Sequence, residues 1–181
     1  MASLGRVLAS DVSSPEDLPP FDNSAMDGFA LPLRGMAAAA DSEFEVLGEQ
    51  AAGDAAQDLH VACEIMTGAR LPAGLDAVVP VEQTAVLSRD AAGRPLRIRV
   101  GSQVRAGQHV RRSGEDIARG ERVLSAGCRI GPTQLMLLAG LGVAQLSLRP
   151  LPRVALFCTG RELVDDPAHP LASGQIRNNN A

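Results

Sequence analysis

Lysine, tyrosine and tryptophan are missing from the 181 residues, and four phenylalanines bring the aromatic share to only 2%. Without lysine, no Schiff base forms on a side-chain amine and no P-loop lysine grips a phosphate. An anion bound by this chain must be held by arginine guanidinium groups or backbone amides. The scarcity of rings argues against stacking on bases or sugars, and leaves the core to Leu, Val, Ile, Ala and Met. Long basic runs are missing too. The longest is Arg111-Arg112, in a chain of formal net charge -4. Non-specific nucleic-acid binding needs clustered cations to displace counterions, so no nucleic-acid partner is expected.

No two of the three cysteines, Cys63, Cys128 and Cys158, form a C-x-x-C pair, and all lie in apolar surroundings. They read as reduced, buried core thiols of a cytosolic protein. The first residues lack the apolar run of a signal peptide. The most apolar stretch, 135–148, is broken by glycines and too short to span a bilayer. The expectation is a soluble, cytoplasmic protein with no membrane partner. An apolar fraction of 45% over this length suits one folded domain or two small ones.

Turn formers punctuate the first third: Ser13-Ser14-Pro15, Pro19-Pro20, Asp22-Asn23 and Asp27-Gly28. Short strands and tight turns suit that spacing. Ala37 to Ala40 reads as a weakly specified helical turn. From 43 to 112 the pattern is β-like. Leu96, Ile98 and Val100 alternate with Arg97 and Arg99, and Val61–Met66 and Ala77–Val81 are short apolar runs. With glycine turns at 53, 74, 93 and 107, a compact antiparallel β domain is expected. Pro132 suits a first helical position, 134–139 is a helix-forming run, and Gly140 and Gly142 are stop signals. Residues 144–148 alternate like a strand. Val154–Phe157 reads as a fully buried strand of a parallel sheet. Only 24 residues follow it, too few to complete such a domain.

Four segments carry polar side chains in suggestive groups, each with a plain structural explanation beside it. Pro20-Phe21-Asp22-Asn23-Ser24-Ala25-Met26-Asp27-Gly28-Phe29 gathers acids, an amide and a hydroxyl that suit a metal or a phosphate; the plainer reading is an Asx-type turn, capped by Asp22 or Asn23 and closed by Asp27-Gly28. Ile65–Gly74, a strand ending in Thr67-Gly68, presents a hydroxyl and backbone amides to an anionic oxygen, or is a plain strand exit with Pro72 and Gly74 setting the next turn. Arg111-Arg112-Ser113-Gly114-Glu115-Asp116 suits an anion and a cation together, or is a self-neutralising surface. Phe157-Cys158-Thr159-Gly160-Arg161-Glu162 lies where α/β folds bind ligands, or is a capping box, with Thr159 three residues before Glu162. His60, His109 and His169 are isolated and show no metal-ligand spacing.

In this order and register, the four segments resemble one family, the molybdopterin molybdenumtransferases, which comprise the MoeA proteins of bacteria and the E domain of gephyrin. Asp17-Leu18-Pro19-Pro20 with Phe21–Phe29 is similar to D-x-P-x-F-D-N-S-A-M-D-G-[YF]. Ile65–Val79 is similar to I-M-T-G-A-x-x-P-x-G-x-D-A-V-V, 110–117 to R-x-x-G-E-D-I, and 157–163 to F-x-T-G-x-E-L. The resemblance implies hydrolysis of adenylylated molybdopterin with release of AMP, and insertion of molybdenum from molybdate, with Mg²⁺ required. It implies catalytic roles for Asp27, Thr67, Asp116 and Glu162, and Mg²⁺ ligation by Asp27, Asp116 and Glu162. Ser24, Gly68, Arg112 and Thr159 would contact substrate.

The implied fold is α+β and predominantly β. A β-rich domain covers 14–120, a connecting domain joins 1–13 to 121–151, and a molybdopterin-binding α/β domain begins at 152. The family has an amino-terminal helix, the rest of that α/β domain and a further β domain outside the residues matched. The chain is therefore expected to be inactive alone, with the Val154 strand docked on a neighbour or frayed. A homodimer is implied, with the site formed between subunits. Arg161 replaces an acid common beside the glutamate, and Arg177-Asn178-Asn179-Asn180 replaces a usual tyrosine-aspartate-serine/threonine-asparagine run. The alternative is a non-catalytic binding or scaffolding module, as in gephyrin, or a truncated pseudoenzyme.

Overall fold

The computed structural model describes residues 3–55 and 57–179. Its strands are β1 (Val12–Ser13), β2 (Asn23–Ser24), β3 (Gly28–Leu31), β4 (Ala37–Ala38), β5 (Glu43–Gln50), β6 (Ala62–Ile65), β7 (Ala77–Pro80), β8 (Thr84–Arg89), β9 (Pro95–Val100), β10 (Val104–Arg105), β11 (Val110–Arg111), β12 (Arg122–Leu124), β13 (Leu163–Val164) and β14 (Ile176–Arg177). Among the described residues one α-helix, α1, spans Pro132–Gly140, and a 3-10 turn covers Val81–Gln83. The chain divides into two compact units, 1–148 and 149–181. The fold is α+β and predominantly β.

Six strands of the first unit form a sheet in the order β7-β3-β6-β5-β9-β8. It is mixed, because β5 and β6 run parallel. This corrects the expected purely antiparallel domain. The long 51–61 connection returns the chain so that β6 starts at the same end as β5, which a two-residue hairpin cannot do. On β3 all four residues are buried, and Phe29 and Leu31 lie among Val79, Ile98, Val100 and Val104. On its other face, Ala30 packs with Cys63, Ile65, Ala69, Leu71 and Val78. Both faces of the strand's middle are therefore covered. Leu, Val, Ile, Ala, one Cys and a single buried Phe make up these two clusters.

The alternation read at β9 holds for Ile98 and Val100, both fully buried. Leu96 stays 46% exposed, although it lies on the same side in the alternation. The reason is local: β8 is bulged between Val86 and Arg89, and Arg89 pairs with Pro95, so the hairpin end twists away from the core. Ala37–Ala38 are extended and pair with β10, not helical. The four glycines at 53, 74, 93 and 107 sit at turns with positive φ.

The segment 5–13 pairs with 122–130 through β1–β12 and the Val7–Arg129 bridge. Leu8, Ile130, Leu138 and Leu141 are buried there. Helix α1 begins at Pro132, whose missing N–H costs nothing at that position. The Gly131 N–H is met by Gln134 Oε1 at 3.0 Å. Its C-terminus closes through Leu141 N–H to Leu137 O, and Gly142 turns the chain at φ +66. The strand read at 144–148 reduces to one bridge, Leu8–Leu148.

In the second unit, β13 and β14 form a two-residue parallel pair. Val154–Phe157 is neither a strand nor buried: Val154 is 81% and Phe157 85% exposed. An apolar run becomes a strand only when a neighbour satisfies its amides and carbonyls, and no described residue pairs with this one. The three cysteines are free; Cys63 is buried, whereas Cys128 and Cys158 are half-buried, unlike the expectation for them. Among the described residues no helix is long and apolar enough to cross a membrane.

Candidate functional site

Three of the four motif segments meet at the strand ends of the first unit, because β2 is shared. It pairs with β11, Ser24 opposite Val110 and Asn23 opposite Arg111. Asn23 also bridges to Arg70, and the Ser24 N–H donates to Ala69 O at 3.0 Å. The 21–28 loop thus lies between the turn that follows β6 and the turn that follows β11.

Gly28 fixes where that loop joins the sheet. It pairs with both Ile65 and Pro80, and a Cβ there would fall 2.0 Å from the Val79 carbonyl oxygen. Only glycine permits this approach. It places Asp27 beside the end of β6, where Asp27 Oδ1 accepts the Thr67 N–H at 2.7 Å. The Thr67 backbone amide first, and its hydroxyl second, hold the exposed Asp27 carboxyl below the usual aspartate range. Thr67 and Gly68 form the turn, with Gly68 at φ +78 and open space on its outer side. The backbone amides expected to be free for an anion are engaged: Thr67 on Asp27, Gly68 on Ser24 O at 2.8 Å.

Ser24 is buried, and its hydroxyl is satisfied internally. It donates to Met26 O at 2.6 Å and accepts the Met26 N–H at 3.2 Å. The structure gives it a loop-shaping role (an ST turn) that presents Asp27.

Across the ladder, Asp22 Oδ2 accepts from Arg112 Nη1 at 2.5 Å, and Oδ1 accepts the Ser113 N–H at 2.8 Å. Partial burial pushes the Asp22 carboxyl up, but the Ser113 amide and the Arg112 guanidinium outweigh it and leave it below the usual range. Glu115 takes Arg111 Nε on one oxygen and the Arg112 N–H on the other, both at 2.8 Å. Arg111 Nη2 reaches Asp116 Oδ2 at 2.5 Å. Asp116 and then Glu115 raise the Arg111 pKa. Asp22, Arg111 and Glu115, not singled out by sequence, share one hydrogen-bond network with Arg112 and Asp116. Their signal was their presence inside the motifs, although pairing across 90 residues is invisible locally.

In the second unit, Thr159 and Glu162 flank a turn closed by the Leu163 N–H to Gly160 O at 3.2 Å. The Glu162 carboxylate folds back to within 2.4 Å of where a Gly160 Cβ would stand. No helix follows, so the capping-box explanation of Thr159 and Glu162 fails; β13 begins at Leu163 instead. Arg177 Nη1 donates to the carbonyls of Asp166 and His169 at 2.8 and 2.7 Å, and binds that turn. Asn180 lies outside the described residues.

The structure therefore brings Asp27 to Thr67, Arg112 to Asp22, and Asp116 to Arg111, on neighbouring loops. Glu162 and Thr159 belong to the separate second unit. Among the described residues, no three His, Cys, Asp or Glu side chains gather closely enough to hold a metal. The Asp22 and Asp27 carboxyls are held below the usual aspartate range, and hard carboxylate oxygens suit Mg²⁺ or the rim of a phosphate site.

The chain spans less than half the length of the curated relatives it matches. It is 41% identical over 180 residues to a molybdopterin molybdenumtransferase of Synechococcus elongatus, covering 96% of this chain and 43% of that protein. To molybdopterin molybdenumtransferase 2 of Mycobacterium tuberculosis it is 41% identical over 183 residues, covering 98% and 43%. A crystal structure of a molybdopterin biosynthesis MoeA protein from Pyrococcus horikosii superposes with a TM-score of 0.83 at 32% identity, covering 98% of this chain and 45% of that one. The model of the MoeA N-terminal region (domain I and II) matches residues 1–142, and the chain belongs to that family.

Proposed function

We propose that this chain supplies one wall of the active site of a molybdopterin molybdenumtransferase, which takes adenylylated molybdopterin and molybdate, releases AMP and inserts molybdenum. The observation that carries the reading is Asp27. It is an exposed, ionised carboxylate, aimed by the Thr67 amide at the junction of two motif turns, with open space beside Gly68.

The residues present fit Mg²⁺. That ion takes one or two protein carboxylates and fills its shell with water and phosphate oxygens, so a preformed three-acid cluster is not required. Asp27 and Asp116 of the first unit would hold it. When bound, Mg²⁺ supplies positive charge against the oxygens where charge develops as the phosphoanhydride breaks. Thr67 donates its hydroxyl to a phosphate or molybdate oxygen, giving up its contact with Asp27 as it does so. Arg112 keeps guanidinium donors beyond the one spent on Asp22, and with lysine absent it is the cation suited to an anionic substrate. Gly68 contacts substrate through its turn, and Ser24 shapes the loop beside it. The site is completed between two copies of the protein, which acts in the cytoplasm.

The test is AMP release from adenylylated molybdopterin by the whole gene product, with molybdate and Mg²⁺. Asp27→Ala should slow release on the order of 100-fold; an unchanged rate sinks the reading. A monomer in sedimentation at assay concentration removes the shared site. One observation favours a second reading, a binding module without chemistry: Asp22 and Asp116 are both committed to arginines. Absence of molybdate-dependent AMP release from the whole gene product would select it.

A further inference from the structure

We propose that Asp22 is a positioning residue: its carboxylate fixes Arg112 and the Ser113 amide, and through them sets the loop bearing Asp116 against the loop bearing Asp27. The proposal deepens the function proposed above, and its kinetic arm rests on that reading.

The β2–β11 ladder is only two residue pairs long, Asn23 opposite Arg111 and Ser24 opposite Val110. Two such pairs do not hold two loops in fixed register by themselves. The next position outward is Asp22 opposite Arg112. There the backbone ladder stops, and the ion pair and the Ser113 bond extend it by one position. Asp22 is tied down in turn, because its carbonyl accepts the Leu71 N–H at 2.9 Å. Arg70, one residue earlier, lies 5.3 Å from the Phe21 ring centroid. The carboxylate is thus anchored to the same segment that carries Thr67.

From Arg112 the contacts run on. Its backbone N–H meets Glu115, Glu115 orients Arg111, and Arg111 holds Asp116. Asp116 is also pinned through its own N–H to Leu18 O at 3.0 Å. Asp27, at the other end of the 22–27 loop, is fixed by Thr67. Asp22 and Thr67 therefore clamp the two ends of one loop, and only the Asp22 end is linked by these contacts to the Asp116 loop. A carboxylate is suited to this task because it accepts a guanidinium and an amide at once, on separate oxygens.

The test uses the whole gene product with Asp22→Asn, Arg112→Ala and the double variant. Asparagine keeps an acceptor for Ser113 but loses the charge that draws Arg112. Amide hydrogen exchange of residues 110–117 should quicken about three- to tenfold in Asp22→Asn, because exposed charge pairs contribute modestly. The KM for adenylylated molybdopterin should rise by a similar factor with kcat held within about twofold. The double variant should match Arg112→Ala alone, because the two side chains act as one unit. Unchanged exchange in 110–117 overturns the proposal, as do effects that multiply in the double variant. Exchange is measured without turnover, so the clamp is decided even where no AMP is released and the proposed function falls. If Asp22→Asn fails to fold, Arg112→Lys, which keeps the charge but loses the fork, should raise exchange by a smaller factor; no change there is equally fatal.

Discussion

Replacing Gly28 by alanine tests the close approach that places Asp27. The new Cβ would lie 2.0 Å from the Val79 carbonyl oxygen and 2.9 Å from both Val79 C and Pro80 Cα. Real Cβ atoms essentially never come within 3.0 Å, so the backbones of β3 and β7 must separate by roughly 1 Å. No side chain can rotate away, because every atom met is backbone. β3 cannot retreat freely, because β6 is bonded to its other edge and Phe29 and Leu31 are locked in the core. Weakening one or two ladder bonds and repacking that cluster costs about 3 kcal/mol. At about 2–4 °C per kcal/mol for a chain of this length, the melting temperature should fall by about 6–12 °C. With no tryptophan or tyrosine for intrinsic fluorescence, the assay is far-UV circular dichroism. Gly35→Ala is the control: its φ is +77, but nothing lies within 4 Å of a Cβ there. It should cost about 1–2 kcal/mol from its dihedral alone. Equal melting points for the two variants would refute the contact argument.

Three further outcomes are expected. The Asp76 carboxylate accepts the amides of Leu33 and Gly35 at 2.8 and 2.6 Å, so Asp76→Ala should cost about 1–2 kcal/mol in denaturant melts, and no loss would contradict this. Burial pushes the Cys63 thiol up to about 12, so a thiol reagent at mildly alkaline pH should label Cys128 and Cys158 in the native protein and Cys63 only on unfolding; three equal rates would show the site is open. Asp11, Asp27 and Asp90 are held below 3.8 chiefly by backbone amide bonds, and Asp22 by bonds that outweigh its burial. Lowered folded values mean their stabilisation is complete above the unfolded value and is lost as pH falls through the folded one. The melting temperature should therefore hold from about pH 7 to 5 and fall below about pH 4, and a flat profile down to about pH 2.5 would refute it.

What could be read from sequence was whatever depends on neighbours in the chain. Pro132 and Gly142 bound α1 because helix ends are set by a missing N–H and a permitted positive φ, both properties of single residues. The turn glycines at 53, 74, 93 and 107 were legible for the same reason. The readings that failed needed a partner the local pattern does not contain. Ala37–Ala38 looks like a helical turn until β10, 66 residues away, pairs with it. Leu96 looks like core until the β8 bulge tilts the hairpin. Val154–Phe157 has the composition of a buried strand and is bare, because propensity supplies no hydrogen-bond partner.

The site obeys the same division. Asp27 and Thr67 each sit in a distinctive motif, yet their contact follows from Gly28, whose missing Cβ lets β3 come within reach of β7. Asp22 was one acid among several, and its weight appears only when the β2–β11 register sets it opposite Arg112. Acids and hydroxyls grouped in a motif stand out by type. Residues that hold two loops in register act through geometry and stand out only once the strands are paired. Asp22→Asn changes one atom, from oxygen to nitrogen, and keeps the side chain's shape. If the reasoning holds, so small a change should be felt at Asp116, which it reaches only through Arg112, Glu115 and Arg111.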